Sequence, residues 1–340
     1  MSPLTDLPLT GKTERVASDQ MPPPVGKAEA RLFASYGLQP QVVGLPLRSL
    51  GLRLRAVQTG ARDGNPVLFI HGLTLTATHW IPMLPCLISF QCLLLDIPGH
   101  GGSDSMDFRG VDLRRWSDEM LEGCLDVLRI SSVHIVGHSY GGLLALWLAL
   151  DRPRRVRSIT LIGTPAVAFG ARPDLDLALL ATPLLGRMML ATPVPFGMYR
   201  AILARSLGAH AIHAAPPELL RATHLASRRR GYATTVSSFL HEQFQGLKRR
   251  PPQYVLAPDE LGGLREPVLV VWGDRDQRYQ SVDAAQSAAA LIPHHIFEVV
   301  HGGHEPWLDD PVRCGGLIAA FLARYSSPTE QDLDSSHVGK

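Results

Sequence analysis

Cysteine is scarce in this chain of 340 residues, which contains only four. No two of them stand in the C-x-x-C spacing that redox motifs and zinc sites use. This scarcity argues against a disulfide framework and against a cysteine-based metal site, and reduced thiols in the core are expected. The four cysteines are Cys86, Cys92, Cys124 and Cys314.

The net charge is also small, at +2, which is too little to indicate a nucleic-acid-binding surface. Two short basic runs, residues 228–230 and 248–250, lack the interleaved aromatic residues that a single-strand binder requires. We interpret both runs as solvated faces or turns. No nucleic-acid partner is therefore expected.

Long hydrophobic runs are absent as well. The longest, residues 143–150, is far shorter than the roughly 20 residues that span a membrane. The start of the chain is polar and proline-rich, without the apolar segment of a secretory signal. Because 45% of the residues are hydrophobic and 19% are charged, we expect a soluble globular protein with a cytoplasmic location and no membrane span.

Strand-like and helix-like segments alternate along most of the chain. Short apolar runs that end in turn residues predict buried strands, and longer segments with helical spacing predict helices between them. Such alternation is typical of a mostly parallel sheet with helices on both faces. The predicted strands are residues 52–57, 67–70, 92–95, 133–136, 158–162, 268–272 and 296–300, and the predicted helices are residues 27–37, 112–128 and 140–150.

One part of the chain interrupts this alternation. Between residues 164 and 264 there is no strand-like run, only helical pieces separated by prolines. We predict that residues 165–258 form a helical cap inserted into an α/β core of residues 27–164 and 259–325. The polar segments 1–26 and 326–340 are predicted to be disordered tails.

The sequence G-H-S-Y-G at residues 137–141 is the strongest candidate for chemistry. It follows a predicted strand and opens a predicted helix, the context in which a G-x-S-x-G turn exposes a nucleophilic serine. Gly137 and Gly141 provide the small residues that so tight a turn requires. The amino terminus of the helix places the Tyr140 amide where an oxyanion develops. We therefore predict that Ser139 is a nucleophile.

A serine needs a histidine held by a carboxylate to become a good nucleophile. Asp274 and Asp276 follow one predicted strand, and His301 and His304 follow the next. Because open α/β sheets place their sites at the carboxyl ends of the strands, these side chains are expected to meet Ser139 there. The residues themselves leave open which aspartate and which histidine take part.

A second loop, after the predicted strand 67–70, carries His71, Gly72 and Leu73. Such a loop can donate a backbone N–H to a developing oxyanion, and Leu73 is the candidate donor beside Tyr140. We interpret His71 as a residue that shapes this loop and not as a catalytic base.

These motifs resemble those of the α/β-hydrolase superfamily, and more narrowly its capped, esterase-like members. Besides the serine turn, D-I-P-G-H-G-G-S-D at residues 96–104 is similar to that family's loop after an early strand. The H-G pair at residues 71–72 is similar to its oxyanion motif. The resemblance covers residues 41–325, with the cap similar only in kind.

The resemblance implies the α/β-hydrolase fold and a triad of Ser139, Asp276 and His304. In that family the acid ends a G-x-x-D turn and the histidine follows a glycine, and Asp276 and His304 fit these patterns. Serine as nucleophile differs from the aspartate of haloalkane dehalogenases and epoxide hydrolases of this fold. His138 stands where carbon–carbon bond hydrolases commonly have asparagine, which makes that activity a weaker expectation.

The expected function is hydrolysis of a carboxylic ester of an apolar small molecule through an acyl-enzyme, with no metal or organic cofactor. The alternatives on the same triad are a carbon–carbon bond hydrolase, a lactonase or thioesterase, and a cofactor-free perhydrolase. A non-catalytic ligand-binding protein of this fold is the alternative of another class.

Apolar residues of the predicted cap have two interpretations of equal weight. They either line a pocket for an acyl or aromatic group, or only pack the cap onto the core. They are Leu179, Leu180, Leu184, Leu185, Met188, Met189, Leu190, Phe196, Met198 and Tyr199.

Overall fold

The architecture comes from a computed structural model that describes residues 13–14, 23–163, 175–244, 256–276 and 281–326. Its strands are β1 (Thr13–Glu14), β2 (Gln41–Leu47), β3 (Leu52–Gly60), β4 (Pro66–Ile70), β5 (Gln91–Asp96), β6 (Ser105–Met106), β7 (Val133–His138), β8 (Val156–Ile162), β9 (Val268–Gly273) and β10 (His295–Val300). Its α-helices are α1 (Pro23–Ser35), α2 (Leu113–Leu128), α3 (Tyr140–Asp151), α4 (Leu175–Leu180), α5 (Leu185–Ala191), α6 (Phe196–Leu207), α7 (Ala209–Ala214), α8 (Pro217–Ala226), α9 (Tyr232–Phe244), α10 (Pro258–Gly262), α11 (Val282–Ala289), α12 (Pro306–Asp309) and α13 (Pro311–Arg324). Three 3₁₀ segments cover Arg48–Leu50, Ala77–Leu87 and Pro153–Arg155.

Eight of the strands form one sheet in the order β10-β9-β8-β7-β4-β5-β3-β2. Strand β3 runs antiparallel to both of its neighbours, and the other neighbouring pairs are parallel. The predicted fold class, a mostly parallel sheet between helices, is therefore confirmed. In such a sheet β4, β7, β9 and β10 end at the same edge, which is where the candidate site residues follow them.

Helices cover both faces of this sheet. Because successive side chains of a strand point to opposite faces, Leu68 and Ile70 of β4 join one core with α2, α3 and α11. Val67 and Phe69 join the other core, with α1, α13 and the 3₁₀ segment Ala77–Leu87. Helix α3 is apolar on nearly every side since both sheet and helices bury it. No described helix has the length and hydrophobicity needed to cross a bilayer.

Two features at the start of the chain differ from the predictions. Strand β2 was not predicted, because Gly44 and Pro46 interrupt its apolar alternation. The prediction of a tail over residues 1–26 is wrong from Pro23 onward, where α1 begins. Proline is tolerated in the first turn of a helix, whose N–H groups have no intrahelical partner. Strand β1 pairs antiparallel with β6, and the remaining predicted tail residues lie outside the described residues.

Six helices, α4–α9, follow one another between β8 and β9, and we call them the inserted helices. No strand occurs within residues 175–244. Residues 164–174 and 245–255 of the predicted cap lie outside the described part of the chain. The boundaries of a cap at residues 165 and 258 therefore stay a prediction.

Candidate active site

Ser139 lies in a sharp turn between β7 and α3. Its φ of 50° is in the left-handed region, which residues with a side chain rarely adopt. The Ser139 N–H donates to the Ile162 carbonyl of β8 at 2.9 Å, and the Ser139 carbonyl accepts the Gly142 N–H at 3.1 Å. These backbone bonds fix the turn, and the serine side chain stands at the carboxyl edge of the sheet.

The glycines on either side of the serine permit this turn. A Cβ atom on Gly137 would lie 2.6 Å from the Gly142 Cα, and one on Gly141 would overlap the Ile70 carbonyl. The requirement for small residues that the sequence predicts is confirmed.

His304 and Asp276 contact each other at the same edge. The His304 Nδ1 lies 2.8 Å from the Asp276 Oδ2, and both side chains are buried, with 5% and 1% of their surface exposed. Asp276 sits in the turn after β9, where its N–H donates to the Gly273 carbonyl at 3.0 Å. Because a carboxylate only accepts, His304 Nδ1 is the donor, and Nε2 is the imidazole nitrogen left to exchange a proton elsewhere.

The competing residues contact each other instead. The His301 Nδ1 lies 3.0 Å from the Asp274 Oδ2, and these side chains are 56% and 42% exposed. The exposed pair is separate from the buried pair of Asp276 and His304.

Ser139 and His304 line one cavity. The ring of His138 packs beside that of His304, with 4.7 Å between the two ring centroids. The His138 Nε2 donates to the His304 carbonyl at 3.0 Å. Burial holds the pKa of His138 well below its usual value, so this imidazole is neutral. Of the predicted triad, Ser139 and His304 thus line one cavity, and Asp276 contacts His304.

The predicted oxyanion donors Leu73 and Tyr140 line the same cavity. Tyr140 is the first residue of α3, and Leu73 belongs to the loop after β4. In that loop the buried His71 donates from Nδ1 to the Gly72 carbonyl at 2.7 Å and accepts the Ile97 N–H at Nε2, 3.2 Å away. Burial lowers the pKa of His71 to about 4, so the neutral ring shapes the loop, as predicted.

A second buried histidine, which the sequence analysis did not single out, holds the other end of this loop. The His100 Nε2 accepts the Thr74 N–H at 3.1 Å, while its Nδ1 donates to the Pro98 carbonyl at 2.8 Å. Thr74 has a φ of 69°, so this contact helps to hold a strained residue. Burial lowers the pKa of His100 to about 3, which keeps Nε2 an acceptor.

The cavity above Ser139 has a volume of about 890 Å³ and extends under the inserted helices. Four of the apolar residues of the predicted cap line it, namely Leu180, Met189, Leu190 and Tyr199. Others, including Leu184, Met188 and Met198, are exposed. The pocket interpretation therefore holds for part of that set.

Sequence reasoning missed a buried contact between a histidine and a carboxylate next to His304. The His79 Nδ1 lies 3.0 Å from both carboxylate oxygens of Glu305, and neither side chain is exposed. The His79 Nε2 lies 2.8 Å from the Thr223 hydroxyl of α8. That hydroxyl also lies 2.9 Å from the Leu219 carbonyl. His79 therefore connects Glu305 to α8 through its two imidazole nitrogens and the Thr223 hydroxyl.

The contacts of His79 join three parts of the molecule. His79 belongs to the 3₁₀ segment of the core, Glu305 follows His304 directly, and Thr223 belongs to an inserted helix. The inserted helices also reach His304 through Leu207, whose carbonyl accepts the His304 N–H at 3.1 Å. Because His79 and Glu305 are 226 residues apart, only a fold-level signal could have paired them.

A profile of the α/β-hydrolase fold family matches residues 65–311 of the chain. The 2-hydroxy-6-oxononadienedioate/2-hydroxy-6-oxononatrienedioate hydrolase of Cupriavidus pinatubonensis is 30% identical over 270 residues, which are 72% of this chain and 82% of that protein. The pimeloyl-[acyl-carrier protein] methyl ester esterase of Aromatoleum aromaticum is 27% identical over 263 residues, 74% of this chain and 96% of that one. The crystal structure of carboxylesterase CesB from Bacillus subtilis superposes with a TM-score of 0.70 at 18% identity, and covers 88% of this chain and 97% of that one.

Replacing Gly163 by alanine is expected to weaken the contact between His304 and Asp276. Gly163 has a φ of 51°, and a Cβ there would lie 3.0 Å from the His304 Nδ1 and 3.1 Å from the Asp276 Oδ2. A low-field ¹H NMR resonance of the His304 Nδ1 proton, present in the wild type, should be lost or shifted in Gly163→Ala. Gly51→Ala is the matched control, because Gly51 has a φ of 63° with open space around it.

Both alanine variants should lose roughly 1–2 kcal/mol of unfolding free energy through backbone strain. Only Gly163→Ala should alter the imidazole resonance. An unchanged resonance in Gly163→Ala would contradict the packing described for this site.

Replacing Glu305 by glutamine is expected to lower the free energy of unfolding by about 1–3 kcal/mol, because the buried His79 loses a hydrogen-bonded carboxylate. Urea denaturation at neutral pH measures this change. The matched control is Asp274→Asn, which breaks the exposed pair with His301 and should cost less than about 1 kcal/mol. Equal, small effects in both variants would contradict a stabilising role for the buried contact between His79 and Glu305.

Proposed function

Since the chain belongs to the α/β-hydrolase fold family, we propose that it is a serine hydrolase that cleaves a carboxylic ester of a hydrophobic small molecule through an acyl-enzyme. Ser139 is the nucleophile, His304 the general base and acid, and Asp276 the carboxylate that holds the imidazole. The cytoplasmic location stays a prediction.

One observation carries this proposal. The buried contact of 2.8 Å between His304 and Asp276 lies at the cavity into which the strained Ser139 turn opens. The contact fixes the imidazole tautomer and leaves Nε2 for the serine hydroxyl. Ser139 and His304 line one cavity and Asp276 contacts His304, an arrangement that supports the proposal because the packing of a stable core does not require it.

The first half of the reaction forms the acyl-enzyme. His304 takes the Ser139 proton as the serine oxygen attacks the ester carbonyl, and the Asp276 carboxylate stabilises the imidazolium that results. The amides of Leu73 and Tyr140 donate to the tetrahedral oxyanion. Removing one such donor typically lowers the rate by about 10²–10³-fold. The imidazolium then protonates the alcohol as it leaves.

The second half of the reaction releases the acid. His304 removes a proton from water, the hydroxide attacks the acyl carbonyl, and the imidazolium returns a proton to the Ser139 oxygen. Every proton moves through His304, and none of the steps requires a metal or an organic cofactor.

Carbon–carbon bond hydrolysis is the second candidate. The relative from C. pinatubonensis, at 30% identity, is a hydrolase of 2-hydroxy-6-oxononadienedioate. The ester hypothesis is favoured because the relative from A. aromaticum is a methyl ester esterase. A second reason is that His138 occupies the position before Ser139, where carbon–carbon bond hydrolases commonly have asparagine. Its Nε2 donates to the His304 carbonyl. Cleavage of lactones, cleavage of thioesters and formation of peracids would use the same catalytic groups. A panel of 4-nitrophenyl esters of graded length, beside lactones, thioesters and a vinylogous 1,5-diketone, separates these activities.

A non-catalytic binding protein is the alternative of another class. A fluorophosphonate probe distinguishes it, because only an activated serine reacts with the probe at a useful rate. Labelling of Ser139 supports the hydrolase, and a failure to label supports the binding protein.

Ser139→Ala is expected to lower kcat for the best ester by on the order of 10⁴-fold or more, with no loss of folding, because the nucleophile is removed and the turn is kept. Steady-state kinetics and urea denaturation measure the two effects. Ser287→Ala, an exposed position on α11, is the matched control and should keep full activity. Turnover by Ser139→Ala near the wild-type rate would overturn the proposed function.

A further inference from the structure

The wall of the cavity carries more positive than negative charge. Among the described residues that line it, five are arginines and one is an acid. The acid, Asp176, pairs with Arg205, whose Nε lies 3.3 Å from the Asp176 Oδ2. The remaining cavity arginines are Arg187, Arg228, Arg229 and Arg230.

Three of these are consecutive and form the turn between α8 and α9. Within the described residues, Arg228, Arg229 and Arg230 make no ion pair with a carboxylate. Asp96 and Asp104 act on Arg229 through their charges without pairing with it. In the described part of the chain, the turn 228–230 is therefore a cluster of three guanidinium groups on the cavity wall that form no ion pair.

Of these three arginines, Arg229 is the best placed to donate hydrogen bonds to a ligand in the cavity. It is half-buried, and its Nη1 donates to the carbonyls of Gly101 and Ser103 in the loop after β5. Both acceptors are neutral, and burial lowers the pKa of Arg229, which shows that the guanidinium is partly desolvated. The described contacts engage Nη1, which leaves Nη2 and Nε as donors for a ligand.

The turn that carries these arginines is held in place by its backbone. The Arg229 N–H donates to the Ala226 carbonyl at 3.1 Å, and the Tyr232 N–H donates to the Arg229 carbonyl at 3.2 Å. The Ser105 hydroxyl donates to the Arg230 carbonyl at 3.3 Å. A positive group presented on a fixed turn is pre-organised for an anion, because little entropy is lost on binding.

Another donor lines the same cavity. Gln243 is 3% exposed, and its Nε2 has no hydrogen-bond partner among the described residues. A buried amide without a partner costs free energy that a ligand oxygen would recover. Gln243 lies at the end of α9 away from the arginine turn, and the apolar cluster of Leu177, Leu180 and Phe244 also lines the cavity.

We propose that the turn of Arg228, Arg229 and Arg230 is a subsite for an anionic group of the substrate. The proposal rests on the proposed function and narrows it. The ester is amphiphilic, with a chain that crosses the apolar part of the cavity and an oxyanion, carboxylate or phosphate, at the end remote from the ester carbonyl. The basic run is then a binding element and not the solvated turn that the sequence alone indicated.

Three 4-nitrophenyl esters of equal chain length, ending in a methyl group, a carboxylate or a phosphate, test the substrate class. At low ionic strength, kcat/KM for at least one anionic ester should exceed that for the methyl-terminated ester by about tenfold, as expected for a charge-assisted contact. Added salt should reduce this preference, because it screens exposed charges. The two anionic esters distinguish a carboxylate from a phosphate. Preference for the methyl-terminated ester would overturn the proposal.

Arginine variants test the location of the subsite. In Arg229→Gln the ratio of kcat/KM for the anionic ester to that for the neutral ester should fall by about tenfold. Because Arg229 also holds the loop after β5, the double variant R228Q/R230Q provides a second test at exposed positions, with the same direction expected. Arg221→Gln on α8, exposed and outside the cavity lining, is the matched control and should keep the ratio. An unchanged ratio in both subsite variants would overturn the proposal.

Binding to Ser139→Ala separates this proposal from the proposed function. Calorimetric titration with the corresponding 4-nitroanilides requires no catalysis, so it reports the subsite even if no ester is hydrolysed. A Kd about tenfold lower for an anionic anilide than for the methyl-terminated anilide supports the subsite, provided that R228Q/R230Q abolishes this difference in Kd. Equal Kd values for all three anilides would contradict it, whatever the activity of the wild type.

Discussion

The position of the His304 imidazole depends on contacts from three directions. The His304 Nδ1 donates to Asp276, and the His304 backbone carbonyl accepts from His138. The His304 backbone N–H donates to the carbonyl of Leu207 in an inserted helix. A general base works only when its free nitrogen points at the reacting proton, and a misplacement of about 1 Å can cost roughly 10²-fold in rate. The surrounding structure therefore serves to hold one ring.

The inserted helices take part in this support as well as in forming the cavity. Leu207 ends α6, and Thr223 of α8 is hydrogen-bonded to His79, whose partner Glu305 follows His304 in the chain. The helices that line the cavity are thus bonded to the loop that carries His304, the proposed base. Any movement of these helices on substrate binding would shift the position of His304, because packed cores transmit strain.

The sequence predicted the sheet and the sharp turn at Ser139 because both rest on local patterns. β4 and β9 contain continuous apolar runs, β7 is a short buried strand that includes His134, and the glycines beside Ser139 follow from the sterics of a single turn. Strand β2 was missed because proline on an edge strand breaks the pattern without breaking the strand.

The rest of the site depends on contacts between distant parts of the chain. Asp274 and Asp276 are two residues apart, and only the fold of their turn sends one to His304 and the other to solvent. The partnership of His79 with Glu305 and the place of Arg229 in the cavity wall arise from the packing of the inserted helices on the core. No periodicity or spacing in the sequence carries that information.

The central claim is that Ser139 becomes acylated during turnover, and mass spectrometry after a rapid acid quench tests it most directly. In the presence of 4-nitrophenyl butyrate, the intact protein should gain the mass of one butyryl group, and peptide mapping should locate it on Ser139. Turnover without an adduct on that residue, or with the adduct elsewhere, would contradict the account.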